Sequence, residues 1–273
     1  MKVRIISSVV AVALLIGILV VQETVWPMAW GVAVILLAAI GAWEAAKAAG
    51  LGRYPGLMAL CVVFGGFVPL VQLLPEGARL LTFLCGGMVF GLLLFFGGVV
   101  TFGKVEFSSI SCAGLMVLVE SVGLSVLSAA YGSVLFYLII VGSWTSDIGA
   151  YFAGRALGKH KLTPVSPKKT VEGFAGGLVS CTLCLCLTAW IFADFILPEG
   201  SKVLWWALIP VGVVTSCVSV VGDLSFSMMK RHFGVKDYGK IMPGHGGVLD
   251  RFDSVIFVAP FLYLIFTLCP LVG

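Results

Sequence analysis

The sequence predicts an all-α, polytopic integral membrane protein with about nine transmembrane helices and a cytoplasmic N-terminus. The first observation is composition, because 60% of the 273 residues are hydrophobic, 11% are charged and the mean hydropathy is +1.13. Soluble domains have about 45–50% apolar and 25% charged residues, so a cytosolic globular enzyme and a disordered chain are excluded. The second observation is that the apolar residues form long runs, and the third is that the basic residues are clustered.

The apolar runs are long enough to be membrane-spanning helices, since a helix needs about 20 mostly apolar residues to cross the hydrocarbon layer. The runs are apolar on every face, whereas the strands of a membrane barrel alternate apolar and polar residues over about ten positions. In chain order, the nine predicted helices cover residues 5–22, 27–46, 54–74, 80–100, 110–130, 133–153, 174–196, 203–230 and 254–272.

The distribution of Lys and Arg predicts the orientation. Nine crossings place fifteen of the 17 basic residues on one side and leave only Arg79 and Lys202 on the other. Basic residues in short loops favour the cytoplasm, so we expect the N-terminus to be cytoplasmic. The first apolar run follows Lys2 and Arg4 but is long and lacks a small-residue cleavage pattern, so we expect a retained helix rather than a signal peptide.

Two long loops, residues 154–173 and 231–253, carry most of the polar chemistry. The loops and the adjacent Lys230 hold ten of the 17 basic residues. We therefore divide the chain into about five N-terminal helices, residues 1–130, and a candidate catalytic region, residues 131–273. Both loops are expected on the cytoplasmic side.

Acidic residues lie at the predicted helix ends that face these loops. An Asp at membrane depth costs about 2.5–3.5 kcal/mol on insertion scales, so such residues are usually paired or functional. Clustered carboxylates beside many cations suggest Mg²⁺ together with a phosphorylated substrate, although Asp–Lys and Asp–Arg ion pairs would explain the same pattern. The four acids are Asp147, Asp223, Asp250 and Asp253.

Two short segments are candidate phosphate sites. Ser166 and Pro167 resemble a helix N-cap and first helical position, and the amides of such a helix start, with Lys168 and Lys169, would bind an anion. In the second segment, residues 243–247, glycines permit positive φ and can expose backbone N–H groups to phosphate oxygens. The histidine of that segment could donate to a phosphate or simply tie the loop together.

The segment 227–253 resembles the signature of the phosphatidate cytidylyltransferases, also called CDP-diacylglycerol synthases. It contains S-x-x-K-R-x4-K-D-x-G, then P-G-H-G-G, then D-R-x-D. The resemblance covers roughly residues 140–255. It implies that CTP and phosphatidate react to give CDP-diacylglycerol and pyrophosphate. It also implies Mg²⁺ as the cofactor, with more than one bound cation. It also implies a homodimer in the bilayer, with the active site at the cytoplasmic face of a bacterial inner membrane and no nucleic-acid partner.

The resemblance and the charge pattern together predict the site residues. The catalytic residues are Asp223, Asp250, Lys230 and Arg231; the substrate-binding residues are Ser166, Lys168, Lys169, Thr170, Ser227, Lys236, Asp237, His245, Gly246, Gly247 and Arg251; the metal ligands are Asp223, Asp250, Asp253 and Asp147.

Other functions remain open on the sequence alone. Intramembrane acids and glycine-rich helices also describe ion-coupled transporters, and Glu120 in the fifth segment would suit one. Transporters, however, usually place polar residues near the midplane in two related halves, whereas these lie at one face and in one half of the chain. A nucleotidyltransferase or kinase acting on another membrane lipid is a second alternative. A purely structural scaffold would not need this array of acids.

Overall fold

The computed structural model describes residues 2–101, 103–196, 204–244 and 246–268, and these contain nine α-helices and two short 3-10 helices. The α-helices are α1 (Lys2–Thr24), α2 (Ala29–Ala48), α3 (Pro55–Leu70), α4 (Glu76–Val100), α5 (Phe107–Ala129), α6 (Val134–Leu157), α7 (Val171–Ile196), α8 (Trp205–His232) and α9 (Leu249–Leu268). The 3-10 helices are Leu51–Arg53 and Val71–Leu73. The predicted all-helical class is confirmed.

Eight of the described helices are long and apolar enough to cross a membrane, and α1 contributes a shorter apolar stretch, Val9–Thr24. The protein is therefore an integral membrane protein of many crossings. Most helix ends differ by a few residues from the prediction. At the two long loops, α6 continues to Leu157, α7 begins at Val171, α8 continues to His232 and α9 already begins at Leu249. The two long loops are shorter than expected for this reason, and Asp147 lies roughly three helical turns before the end of α6.

The chain forms two compact units. Unit 1 comprises Met1–Ser128 and Met229–Phe252, and unit 2 comprises Ala129–Met228 and Asp253–Gly273. In unit 1, α2 packs along α3, and Phe64 of α3 stacks on Phe90 of α4 with ring centroids 4.0 Å apart. The boundary between the units falls within α8 and within α9.

In unit 2, α6 packs closely along α7, and small residues make that approach possible. A Cβ added at Gly177 of α7 would lie 2.9 Å from the backbone oxygen of Ser146 on α6. Small residues at membrane helix interfaces let backbones approach and pack where lipid supplies no hydrophobic driving force. The hydroxyls of Ser146 and Ser216 are 2.7 Å apart and join α6 to α8.

The close α6–α7 contact predicts that Gly177→Ala lowers stability. The added methyl group would overlap Ser146 and push the helices apart, with an expected cost of about 1–3 kcal/mol. Thermal unfolding of the purified protein in detergent measures the change. Gly87→Ala in α4 is the matched control, because no atom lies within 4 Å of its added Cβ. Equal melting temperatures for the two variants would contradict the packing described.

Candidate functional site

The predicted site residues are divided between the two units. Unit 1 holds Lys230, Arg231, Lys236, Asp237, Gly246, Gly247, Asp250 and Arg251. Unit 2 holds Asp147, Ser166, Lys168, Lys169, Thr170, Asp223, Ser227 and Asp253. His245 lies outside the described residues.

Asp250, in the first turn of α9, organises the polar groups of unit 1. Its Oδ1 accepts a hydrogen bond from Lys230 Nζ at 2.8 Å, and its Oδ2 accepts from the backbone N–H groups of Tyr238 at 2.9 Å and Gly247 at 3.0 Å. The Asp250 side chain is 4% exposed and that of Lys230 is 12% exposed. A buried carboxylate with one ammonium and two amide donors is strongly compensated, so this cluster is fixed in the fold.

The glycine-rich turn preceding α9 closes on itself. Met242 and Gly246 exchange two backbone hydrogen bonds of 3.0 and 3.1 Å, and Gly244 and Gly246 have φ of +77° and +95°. The predicted positive φ is therefore confirmed. The expectation that this turn presents unused amides is wrong for Gly246 and Gly247, since Gly246 donates to Met242 and Gly247 donates to Asp250.

Four predicted site residues of unit 1 are exposed, unlike Lys230: Arg231, Lys236, Asp237 and Arg251. An exposed lysine such as Lys236 can move toward an incoming anion at little energetic cost, because it keeps its hydration until the anion arrives. The roles of these four residues in substrate binding stay predictions.

A carboxylate that sequence reasoning missed lies beneath the same turn. Glu44 of α2 is fully buried, and its Oε2 accepts a hydrogen bond of 3.0 Å from the backbone N–H of Leu249. Glu120 of α5 is also fully buried, and neither of its carboxyl oxygens has a hydrogen-bond partner among the described residues. The signal that could have identified Glu44 is a lone acid inside an apolar helix, the criterion already applied to Glu120.

Asp223 of α8 is the corresponding acid of unit 2. Lys169 Nζ lies 2.6 Å from its Oδ2, and the Ser227 hydroxyl donates to its Oδ1 at 3.2 Å, as the four-residue spacing on one helix face predicts. The Asp223 side chain is 27% exposed, whereas the Lys169 Nζ atom is buried. The carboxylate of Asp223 is therefore more open to a ligand than the carboxylate of Asp250.

Asp147 and Asp253 meet at Ser254 in unit 2. The Ser254 hydroxyl donates to Asp147 Oδ2 at 3.2 Å, and the Ser254 backbone N–H donates to Asp253 Oδ1 at 2.8 Å. A Cβ added at Gly222, next to Asp223 in sequence, would lie 2.8 Å from the Asp253 backbone oxygen. The three acids predicted for unit 2 therefore belong to one neighbourhood of α6, α8 and α9.

The segment before α7 is a turn rather than a helix start, so the prediction of a helix beginning at Ser166 is wrong. The Lys169 N–H donates to Ser166 O at 3.0 Å with Pro167 at the second turn position, a position that proline favours. The helix begins at Val171, and the Thr170 hydroxyl caps it by accepting from Gly173 N–H at 3.1 Å. The anion site predicted at a Ser166 helix start is therefore absent from the described structure.

Glu172 fastens the loop between α6 and α7. Its carboxylate accepts hydrogen bonds from the backbone N–H groups of Lys159 at 3.1 Å and His160 at 3.2 Å, and His160 Nδ1 lies 2.6 Å from it. A bridge between Lys161 and Thr170 joins the two sides of the loop. Lys169 is thereby held at the end of a short hairpin, next to Asp223.

The carboxylates of the predicted site are chemically suitable ligands for Mg²⁺, although within the described part of the chain they do not form a complete metal cage. The described residues contain no group of three or more His, Cys, Asp or Glu side chains that could hold a metal ion. Mg²⁺ is usually bound through one or two carboxylates, with waters and substrate phosphates completing the octahedron, so a protein cage is not required. Carboxylates with hydroxyl neighbours, as at Asp223, are hard oxygen donors of the type that Mg²⁺ prefers.

The structure thus defines an integral membrane protein of apolar helices, with carboxylate–lysine clusters in each of its units. The chain belongs to the cytidylyltransferase family, whose pattern it matches over residues 2–269. It is 50% identical over 133 residues to a phosphatidate cytidylyltransferase of Staphylococcus saprophyticus, which is 48% of each chain. It is 43% identical over 169 residues to one of Staphylococcus aureus, or 59% of this chain and 62% of the relative. The chain therefore spans about half to three fifths of the length of these relatives.

The buried ion pair of unit 1 predicts strong coupling between its partners. Lys230→Met should lower the free energy of unfolding by about 3–5 kcal/mol, because Asp250 then keeps a buried charge without its ammonium. Lys230→Met combined with Asp250→Asn should be less destabilised than Lys230→Met alone, since neither charge remains. Chemical denaturation of the three variants in detergent measures the coupling, and strictly additive effects would show that the pair is not formed.

Proposed function

We propose that this chain is a membrane cytidylyltransferase that converts CTP and phosphatidate to CDP-diacylglycerol and pyrophosphate. The observation that carries the proposal is the Asp250 cluster, in which a carboxylate, a lysine and a glycine-rich turn are gathered at the start of an apolar helix. Membership of the cytidylyltransferase family and the names of the Staphylococcus relatives support the same reaction.

The reaction suits such a site because the nucleophile needs little activation. A phosphate monoester has a second pKa near 6, so it is largely dianionic at pH 7. A phosphate oxygen of phosphatidate forms a bond to the α-phosphorus of CTP, the bond between the α-phosphorus and the bridging oxygen breaks, and pyrophosphate leaves. The main barriers are the approach of two polyanions and the charge that develops on the leaving group.

Lysines and arginines of the chain would reduce both barriers. We assign Lys168, Lys169, Lys230, Arg231 and Lys236 to the phosphates of CTP or the lipid, with Ser166, Thr170, Ser227, Asp237, the 245–247 turn and Arg251 as neighbouring contacts. Lys169 and Lys230 are already placed by their carboxylate partners. A cation held in position before the substrate arrives stabilises the transition state without reorganisation at the moment of reaction.

Mg²⁺ ions are part of the proposal. In unit 2 we assign Asp223 as a ligand, with Asp147 and Asp253 nearby, and in unit 1 we assign Asp250. When bound, Mg²⁺ would neutralise charge on the α-phosphate and on the departing pyrophosphate. Asp223 is the more accessible carboxylate, with 27% of its side chain exposed against 4% for Asp250.

A direct assay tests the reaction. Purified protein in detergent, incubated with phosphatidate and α-phosphate-labelled CTP, should form a labelled lipid and release pyrophosphate, and EDTA should abolish both. Asp223→Asn and Asp250→Asn should each lower kcat by about 10²–10³-fold, because each removes charge that organises the reacting phosphates. Glu76→Gln, at an exposed glutamate of α4, is the control that should remain active.

Two outcomes would contradict the proposal at different levels. Folded wild-type protein that forms no labelled lipid with phosphatidate and CTP would exclude the reaction. Normal activity in either aspartate variant would exclude that residue from the catalytic machinery while leaving the reaction in place.

We also propose that the site faces the cytoplasm of a bacterial inner membrane and that the enzyme is a homodimer, as its family resemblance implies. The acyl chains can remain in the lipid while the headgroup reaches the membrane edge, where CTP is available. The excess of Lys and Arg in the loops on one side supports this orientation.

Cysteine labelling tests the orientation. In a cysteine-free background, Lys161→Cys in the α6–α7 loop should react with an impermeant maleimide only in inside-out vesicles. Glu76→Cys, at the start of α4, should react in intact spheroplasts. Both positions are exposed on the protein surface, so reactivity reports the side of the membrane. The reverse pattern would invert the proposed topology.

A further inference from the structure

We propose that Glu44 is a positioning residue for the proposed reaction: it anchors the segments on both sides of the glycine-rich turn and thereby sets the location of Asp250. The inference rests on the proposed function for its catalytic consequence, but the anchoring itself can be measured without any substrate. Glu44 lies in α2, far in sequence from every motif of the site, and its carboxylate is fully buried.

The contacts of Glu44 are directed at the start of α9. Its Oε2 accepts a hydrogen bond from the backbone N–H of Leu249 at 3.0 Å. This amide belongs to the first residue of the helix and has no partner within the helix. Glu44 therefore acts as a cap supplied from a distant part of the chain.

The Glu44 carboxylate explains why two positions of the signature are glycine. A Cβ added at Gly239 or at Gly247 would overlap the carboxyl group of Glu44, closer than real side chains approach. Neither residue has the positive φ that Gly244 and Gly246 have, so backbone conformation does not require glycine there. What requires glycine at these two positions is the close approach of Glu44.

Glu44 and Asp250 both contact the same two segments, residues 238–239 and 247–249. Tyr238 donates its N–H to Asp250, and the next residue, Gly239, packs on Glu44. Gly247 donates its N–H to Asp250 and also packs on Glu44. Since Leu249 is bound to Glu44 and directly precedes Asp250, a displacement of the Glu44 carboxylate moves Asp250 with the turn.

An isosteric pair of variants separates hydrogen bonding from packing. Glu44→Gln keeps an acceptor oxygen for Leu249, whereas Glu44→Leu keeps the volume and removes every acceptor. We expect Glu44→Leu to lower kcat by roughly 10²-fold, the effect of about 1 Å of misplacement, with less than about threefold change in the KM for phosphatidate. Glu44→Gln should retain kcat within about threefold, and Glu76→Gln is the surface control.

Hydrogen exchange measured by mass spectrometry on the substrate-free protein gives the second readout. Glu44→Leu should speed amide exchange over residues 238–249 and leave α6 and α7 unchanged, while Glu44→Gln should exchange as wild type does. If Glu44→Leu does not fold, Gly247→Ala replaces it, because its methyl group displaces the carboxylate while the acceptor remains; it should show the same faster exchange.

The outcomes are distinguishable from those of the enzymatic proposal. A wild-type protein without cytidylyltransferase activity would end the proposed function, yet the exchange comparison would still decide whether Glu44 anchors the turn. Wild-type exchange over residues 238–249 in Glu44→Leu, or in Gly247→Ala where that variant is used, would overturn the inference. A loss of kcat in Glu44→Gln as large as that in Glu44→Leu would also overturn it, since charge rather than the retained hydrogen bond would then be decisive.

Discussion

The charge of a carboxylate among apolar helices is costly unless donors or a cation compensate it, and this constraint shapes the polar clusters around Asp250 and Asp223. An unpaired charge in the membrane interior costs about 2.5–3.5 kcal/mol on insertion scales, so these two acids restrict the backbone around them. Lys230 and two backbone amides bind Asp250, and Lys169 and a serine hydroxyl bind Asp223. The two lysines proposed to bind phosphates therefore also stabilise the two carboxylates.

The Asp250 and Asp223 clusters differ in solvent exposure and in the number of hydrogen-bond donors. Three donors surround the nearly inaccessible carboxylate of Asp250, whereas the Asp223 side chain is 27% exposed. A buried carboxylate with several donors has a fixed geometry, and a more exposed one can exchange a partner for a metal ion at lower cost.

Much of this could be predicted from the sequence, for identifiable reasons. The nine helices follow from apolar runs that have no other stable form in lipid, and the four-residue spacing placed Ser227 beside Asp223. The start of α7 was missed because Ser166-Pro167 suits a β-turn as well as a helix, and the bridge from Lys161 to Thr170 selects the turn. Glu44 could have been noticed as a lone acid in an apolar helix, but its contact with Leu249, 205 residues away, could not be predicted from the sequence.

The most direct test of the account is the location of the metal ions in an experimental structure of the protein with Mn²⁺ in place of Mg²⁺ and a non-hydrolysable CTP analogue. We expect anomalous density within about 2.5 Å of carboxylate oxygens of Asp223 and Asp250, and nucleotide phosphates in contact with the proposed lysines. Nucleotide bound elsewhere, or ions without contact to either carboxylate, would contradict it.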